Sequence, residues 1–250
     1  MTNFNKVIVC DLDGTLALSK ADLSKEMSEV ICCVLEKNLF SVISGAGISQ
    51  FRSQFLAHIK CEGDRKKNLF IFPTNGSSCY GYDEGLNDWK VIYEEKLKEE
   101  DKVRIKNSLN KAIEILGIDI SNSFGDVIED RGGQITFSGC GQKAPLSIKE
   151  SWDKDNSKRQ KIVSLIKDEL FDFEVKIGGT TSIDITPKGI DKAYAIGKIV
   201  EVLGCNKEDI IFFGDALFPG GNDESVKKTG VSVFSVDGPN ETIVEISKYI

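Results

Sequence analysis

Five short apolar runs, each halted by a polar or turn-forming residue, constrain the fold of this chain more than any other feature. Val7-Ile8-Val9-Cys10 stops at Asp11, and Phe40-Ser41-Val42-Ile43 stops at Ser44-Gly45. Leu69-Phe70-Ile71-Phe72 stops at Pro73, with the turn pair Asn75-Gly76 behind it. Ile210 to Phe213 runs into Gly214-Asp215, and Val231-Ser232-Val233-Phe234 completes the set. Runs of this length, apolar on successive residues, read as strands buried on both faces. After the first run, Leu23, Met27, Val30, Ile31, Val34 and Leu35 recur at helical spacing. Strand, helix, strand is the pattern of a parallel sheet covered on both sides. The expected fold is therefore α/β, with a Rossmann-like core.

The middle of the chain follows a different rule. Glu94 to Leu116 and Ser157 to Phe171 read as helices, the second with Ile162, Val163, Leu165, Ile166 and Leu170 on one face. Each precedes a pair of alternating segments, Val127–Glu129 with Gln134–Phe137 and Phe173–Ile177 with Ser182–Ile185. Gly132-Gly133 and Gly178-Gly179 stand where the hairpin turns fall. The expected organisation is a catalytic core of residues 1–85 and 188–250, interrupted by an α+β cap of residues 86–187.

Charge and composition exclude several function classes. With 39 acidic against 32 basic residues among 250, the net charge is −7, which argues against a nucleic-acid surface. The longest apolar runs are too short to cross a membrane. One histidine, His58, leaves no second imidazole for a histidine-rich metal site, so the chemistry falls to carboxylates, hydroxyls, lysines or thiols. The seven cysteines are scattered without CxxC spacing, and residues 1–6 are too short and polar for a signal sequence. Both features favour a reducing, cytoplasmic setting. Cys32-Cys33 lies in an apolar helical pattern and is expected to pack as core thiols.

Strand ends carry the chemistry. In an open parallel sheet the carboxyl ends of the strands face the ligand crevice, so Asp11, Ser44 and Asp215 can converge there. Within Asp11-Leu12-Asp13-Gly14-Thr15-Leu16, a strand-end carboxylate can attack phosphorus to form an acyl phosphate. A second carboxylate two residues on can protonate the leaving oxygen and then deprotonate the next acceptor. Because Asp11 and a phosphate dianion repel each other, a divalent cation is needed between them, and oxygen-only ligands suit Mg²⁺.

This segment resembles the first motif of the haloacid dehalogenase superfamily of phosphohydrolases and phosphotransferases. Ser44-Gly45, Lys192 and Gly214-Asp215 through Asn222-Asp223 resemble its second, third and fourth motifs, in order. The resemblance implies Asp11 as nucleophile, Asp13 as acid and base, and Ser44 and Lys192 as phosphoryl ligands. It further implies Mg²⁺ held by Asp11, the backbone carbonyl of Asp13, and Asp215, supported by Asn222 and Asp223. The position of the cap resembles the class IIB branch. Within it, Gly178-Gly179-Thr180-Thr181-Ser182-Ile183-Asp184, Pro187 to Lys192 and Gly214 to Asp223 are most similar to eukaryotic-type phosphomannomutases.

The cap departs from that family where it matters. The mutases use cap arginines to grip the far phosphate of the sugar. Arg131 resembles the first of these, but Gly139-Cys140-Gly141-Gln142-Lys143 offers Gln142 and Lys143 where arginine is expected, and Lys149 stands at a further one. Lysine does not replace arginine at a bidentate phosphate site. Ser182 and Asp184 resemble the mutase residues that hydrogen-bond sugar hydroxyls, and Gly45 joins the expected substrate contacts. The expected function is a Mg²⁺-dependent phosphatase or phosphotransferase acting on a small phosphorylated metabolite, a phosphosugar above all. A phosphomannomutase is the alternative, and the resemblance leaves a homodimer through the cap open. A catalytically silent sensor of a phosphorylated ligand is the third reading, which the full set of core motifs disfavours.

Overall fold

The computed structural model describes residues 5–19, 21–61 and 63–250, so most of the polar opening segment weighed above lies outside the described residues. The chain divides into two compact units, one running through Glu94 and resuming at Ile190, the other Glu95–Gly189.

The first unit is built on a seven-stranded sheet of order β11-β10-β1-β2-β3-β4-β5. Its parallel part comprises β1 (Val7–Asp11), β2 (Leu39–Ile43), β3 (Leu69–Phe72), β10 (Ile210–Gly214) and β11 (Ser232–Ser235). Alternation along β1 explains why its whole run is apolar. Ile8 and Cys10 pack on one face with Met27 and Ile31 of α1 (Lys25–Val34). Val7 and Val9 pack on the other with Ala195, Ile196 and Ile199 of α6 (Lys192–Leu203). After β2 the chain forms α2 (Ile48–Gln50), which continues through a π-helical turn at Phe51–Phe55 into a 3-10 turn at Leu56–His58. A final helix, α7 (Pro239–Ile246), closes the unit.

The sheet is wider than the sequence reading allowed. β4 (Ser78–Asp83) and β5 (Asp88–Glu94) form an antiparallel hairpin on β3, so residues 86–94 belong to the core sheet rather than to the cap. As an edge strand β5 leaves Val91 and Ile92 exposed and shows only a weak buried face, which hides it from periodicity.

The second unit is a four-stranded antiparallel sheet of order β6-β7-β9-β8, with α3 (Glu99–Leu116) and α5 (Ser157–Ile166) on one face. β7 (Ile135–Ser138) and β9 (Ser182–Pro187) direct Ile135, Phe137, Ile183 and Ile185 into that core. The register sets Thr136 beside Asp184 and Ser138 beside Ser182 on the opposite, polar face. The remaining elements are β6 (Ile128–Asp130), β8 (Phe173–Gly178) and α4 (Leu146–Trp152).

The cysteines also depart from expectation. Cys32 is buried as foreseen, but it is joined to Cys61 in a disulfide, while Cys10, Cys33, Cys79, Cys140 and Cys205 are free. The two partners lie 29 residues apart in no recognisable motif, so only the fold reveals the pairing. Among the described residues, no helix is long and apolar enough to cross a membrane.

Candidate active site

Register gathers the strand-end groups at one edge of the core sheet. Asp11 pairs with Ile43, so Ser44 follows one residue beyond it, and Cys10 pairs with Phe213, so Gly214-Asp215 ends level with it. Asp11 is 2% exposed, Lys192 1% and Asp223 fully buried. Lys192 Nζ lies 2.7 Å from Asp11 Oδ1 and also donates to Asp223 Oδ1. The lysine reaches this point because it opens α6, whose N-cap Asp191 accepts the Tyr194 amide at 3.0 Å. Asp11, Asp215 and Asp223 each offer an oxygen within 4.8 Å of the others.

Three carboxylates therefore face one ammonium. With all ionised, two negative charges stay uncompensated, which is the charge of a divalent cation. The electrostatics record this surplus. Burial pushes the Asp11 carboxyl up to about 7, with Asp223 adding to the rise and Lys192 opposing it. Burial and Asp223 likewise raise Asp215. Burial alone would lower the Lys192 ammonium, but Asp11 and Asp223 outweigh it and hold it above its ordinary range. Asp11 Oδ2 is buried without any hydrogen-bond partner. An unsatisfied carboxylate oxygen inside an acidic cluster is the arrangement that a hard, oxygen-seeking cation fits.

Backbone freedom keeps the cluster tight. Gly14 has φ +89°, and a Cβ there would lie 2.4 Å from Asp215 Oδ2; one at Gly214 would lie 2.5 Å from Asp223 Oδ2. Thr15, fully buried, donates to Asp215 Oδ1 at 3.3 Å and accepts the Asp215 amide at 3.1 Å. Asp223 Oδ2 accepts the Ala216 amide at 3.0 Å. Gly14→Ala is expected to combine a left-handed backbone penalty of about 1–2 kcal/mol with displacement of Asp215. Thermal melts with and without Mg²⁺ should show both a lower melting point and a lost cation response.

Asp13 and Ser44 are held ready but outside the carboxylate cluster. Gln54 Nε2 donates to Asp13 Oδ1 at 3.1 Å and Gln50 Nε2 to Oδ2 at 3.2 Å, so one helical run orients both oxygens. Buried Ser44 accepts the Ala46 amide at 3.0 Å, which leaves its hydroxyl hydrogen to donate elsewhere. Gly45 lies against the Asn75 side chain, whose amide would be in ordinary van der Waals contact, 3.7 Å from where a Cβ would sit. Asn222 is exposed, while the turn that bonds Asp223 N–H to the Ala216 carbonyl directs Asp223 inward. Thr15, Gln50 and Gln54 were missed as functional residues. The four-residue spacing of Gln50 and Gln54 is compatible with a shared face but carries nothing that singles it out in the sequence.

The expected cap residues lie within the second unit. Arg131 Nε pairs with Glu129 Oε2 at 2.6 Å, and an Nη of Arg131 donates to Gln142 Oε1 at 3.4 Å. Lys149 is buried and donates to the Gln142 backbone carbonyl at 2.8 Å, whereas Lys143 is exposed. Gln142 Nε2 is a buried donor without a partner. Asp184 Oδ1 accepts from Gln134 Nε2 at 2.8 Å and from Thr136 Oγ1 at 2.7 Å; Ser182 is half-buried on the same strand.

This core sheet, with its three strand-end segments and Lys192 at the start of α6, defines a member of the haloacid dehalogenase superfamily. A haloacid dehalogenase-like hydrolase from Bacteroides thetaiotaomicron matches it with a TM-score of 0.64 at 17% identity, over 99% of this chain and all of that one. A C-terminally truncated IMP-nucleotidase from Plasmodium falciparum matches with a TM-score of 0.72 at 17% identity, over 99% of this chain and 72% of that one. Sequence comparison is narrower: the family model for eukaryotic phosphomannomutase matches residues 27–250. A phosphomannomutase from Schizosaccharomyces pombe is 29% identical over 250 residues, covering 97% of this chain and 93% of that protein. The chain belongs to the eukaryotic phosphomannomutase family.

Proposed function

We propose that this chain is a Mg²⁺-dependent, cytoplasmic phosphatase that hydrolyses a small phosphorylated sugar through an aspartyl phosphate. The observation that carries the chemistry is the buried, partnerless Oδ2 of Asp11 among the carboxylates around Lys192. Asp11, Asp215 and Asp223 would hold the cation, with the Asp13 carbonyl as a further oxygen. When bound, Mg²⁺ would screen Asp11 from the phosphate dianion and stabilise charge on the phosphoryl oxygens.

The Asp11 carboxylate attacks phosphorus in line with the leaving oxygen, and the ester P–O bond breaks as the aspartyl phosphate forms. Asp13, oriented by Gln50 and Gln54, gives its proton to the departing alkoxide. It then takes a proton from the water that attacks the same phosphorus, releasing Asp11 and inorganic phosphate. Lys192 and the Ser44 hydroxyl neutralise and orient the transferring group.

Family membership favours a second reading, phosphomannomutase activity. That reaction uses the same Asp11 and Asp13, with a sugar hydroxyl replacing water as acceptor. It also requires a firm, reversible grip on a second phosphate. Here the charge needed for that grip is reduced. Gln142 stands where the mutases place arginine, Lys149 is engaged with the Gln142 carbonyl, and Arg131 is paired with Glu129. The test is incubation with mannose 1-phosphate, Mg²⁺ and a trace of sugar bisphosphate. Phosphate release without 6-phosphate product is expected; 6-phosphate product without phosphate release would establish the mutase instead.

A further inference from the structure

Three cysteines gather at one pocket of the core unit and take no part in the chemistry above. Cys32 and Cys61 form the disulfide, and Cys33, a half-buried free thiol, lines the same pocket of about 530 Å³ together with Lys60 and Arg65. The bond ties α1 to the chain just beyond the helical run Ile48–His58. That run carries Gln50 and Gln54, the two amides on Asp13. Other fastenings join the same parts: Lys60 N–H donates to Ser28 Oγ at 3.1 Å, and Leu23 N–H to the Gln54 carbonyl at 2.9 Å. Phe51 and Phe55 are packed in the core. Packing thus holds the run in place, while the disulfide fixes its exit covalently.

We propose that Cys32–Cys61 is a thiol-exchange site, through which a low-molecular-weight thiol sets how firmly Gln50 and Gln54 hold Asp13. The proposal rests on Asp13 serving as the proton donor described above. A thiolate entering the pocket attacks Cys61 Sγ; the Cys32–Cys61 bond breaks, and Cys32 leaves with the electron pair and takes up a proton. The resulting mixed disulfide is attacked at its outer sulfur by a second thiolate. Cys61 leaves as a thiolate and is protonated, and the oxidised dimer of the small thiol departs. Two electrons have passed from two small thiols to the protein disulfide. The pocket wall carries charge of both signs, Lys25, Lys60 and Arg65 against Glu29, with Arg65 paired to Glu36, which suits a small zwitterionic thiol bearing both an amine and carboxylates. With its exit untethered, the run Ile48–His58 samples positions in which both glutamines no longer meet Asp13 together.

The test compares the full-length protein before and after equilibration with reduced glutathione, using alkylation mapping and turnover. Glutathione should expose two further alkylatable cysteines, Cys32 and Cys61. It should lower kcat on a sugar phosphate on the order of ten-fold, because general-acid assistance is weakened. Turnover of p-nitrophenyl phosphate, whose leaving group needs no proton, should hardly change, and oxidised glutathione should restore the sugar-phosphate rate. Cys61→Ser should match the reduced protein and ignore glutathione. A disulfide that glutathione leaves closed, an unchanged sugar-phosphate rate, or an equal loss on both substrates would overturn the proposal. If neither state turns over any phosphate ester, the phosphatase reading fails instead. Hydrogen exchange over residues 48–58 then decides: faster exchange on reduction supports the tether, and identical exchange overturns it.

Discussion

Asp11→Asn is expected to lower Mg²⁺-dependent turnover on the order of 10⁴-fold or more, since no other group can form the acyl phosphate. Steady-state phosphate release against a sugar phosphate reads this directly; activity above trace would exclude Asp11 as nucleophile. The same variant should be more stable than the parent without cation, and the sign follows from the raised carboxyl. Asp11 ionises near 3.8 when unfolded but near 7 when folded. Below the lower value both states carry the proton, and ionisation costs nothing. Between the two values only the unfolded chain ionises, so folding of the parent is progressively disfavoured as pH rises, and the deficit levels off above about 7. Melting curves in chelator should therefore coincide near pH 4 and separate by pH 8, with the variant higher. Saturating Mg²⁺ should raise the parent and not the variant, by an amount set by concentration over Kd.

Arg159→Met is expected to be the most damaging change away from the reacting centre. Arg159 is 1% exposed and satisfies Asp153 Oδ2 at 2.8 Å, the Gly179 carbonyl at 2.8 Å, the Gly178 and Asp153 carbonyls at 3.2 Å, and Asn156. It thereby joins the start of α5 to the β8–β9 turn that precedes Ser182 and Asp184. Removing the guanidinium breaks a buried ion pair and leaves the Asp153 carboxylate to the Lys158 and Arg159 backbone amides alone, a loss that typically costs about 3–5 kcal/mol. For a unit of this size each kcal/mol lowers the melting temperature by about 4–8 °C. Calorimetry would detect the loss, and adding Asp153→Leu should recover part of it, because the unpaired charge is gone, but not all, because the Lys158 and Arg159 amides lose their acceptor. No recovery would mean that the carbonyl contacts, rather than the ion pair, dominate.

What was legible in the sequence follows a physical division. Strands buried on both faces announce themselves by composition, and their polar end residues Asp11, Ser44 and Asp215 stand out against the apolar runs. Lys192 was legible only through its resemblance to the third motif, in order between Ser44 and Asp215. Gln50 and Gln54 were not, since neutral amides carry no charge signature and the run bearing them changes from α to π to 3-10 geometry. Arg159 stands out in no local pattern; only the tertiary fold supplies its carboxylate and carbonyls. The different burial of Asn222 and Asp223 was not legible, because spacing along the chain cannot show which way a turn presents consecutive side chains. The edge strand β5 and the Cys32–Cys61 bond depend on partners remote in sequence, and local pattern is blind to both.

Because β1 lies between β10 and β2, the centre joins groups as remote as Thr15 and Asp215, 200 residues apart. During synthesis the unit Glu95–Gly189 leaves the ribosome entire while its host still lacks β10, β11, α6 and α7. The inserted unit can therefore fold first, and β1 waits with an unpaired edge. A chain interrupted after Gly189 would carry Asp11 and Asp13 but not Lys192, Asp215 or Asp223. Such a product would lack the ammonium and two of the three carboxylates of the cluster, which is complete in composition only once synthesis has passed Asp223.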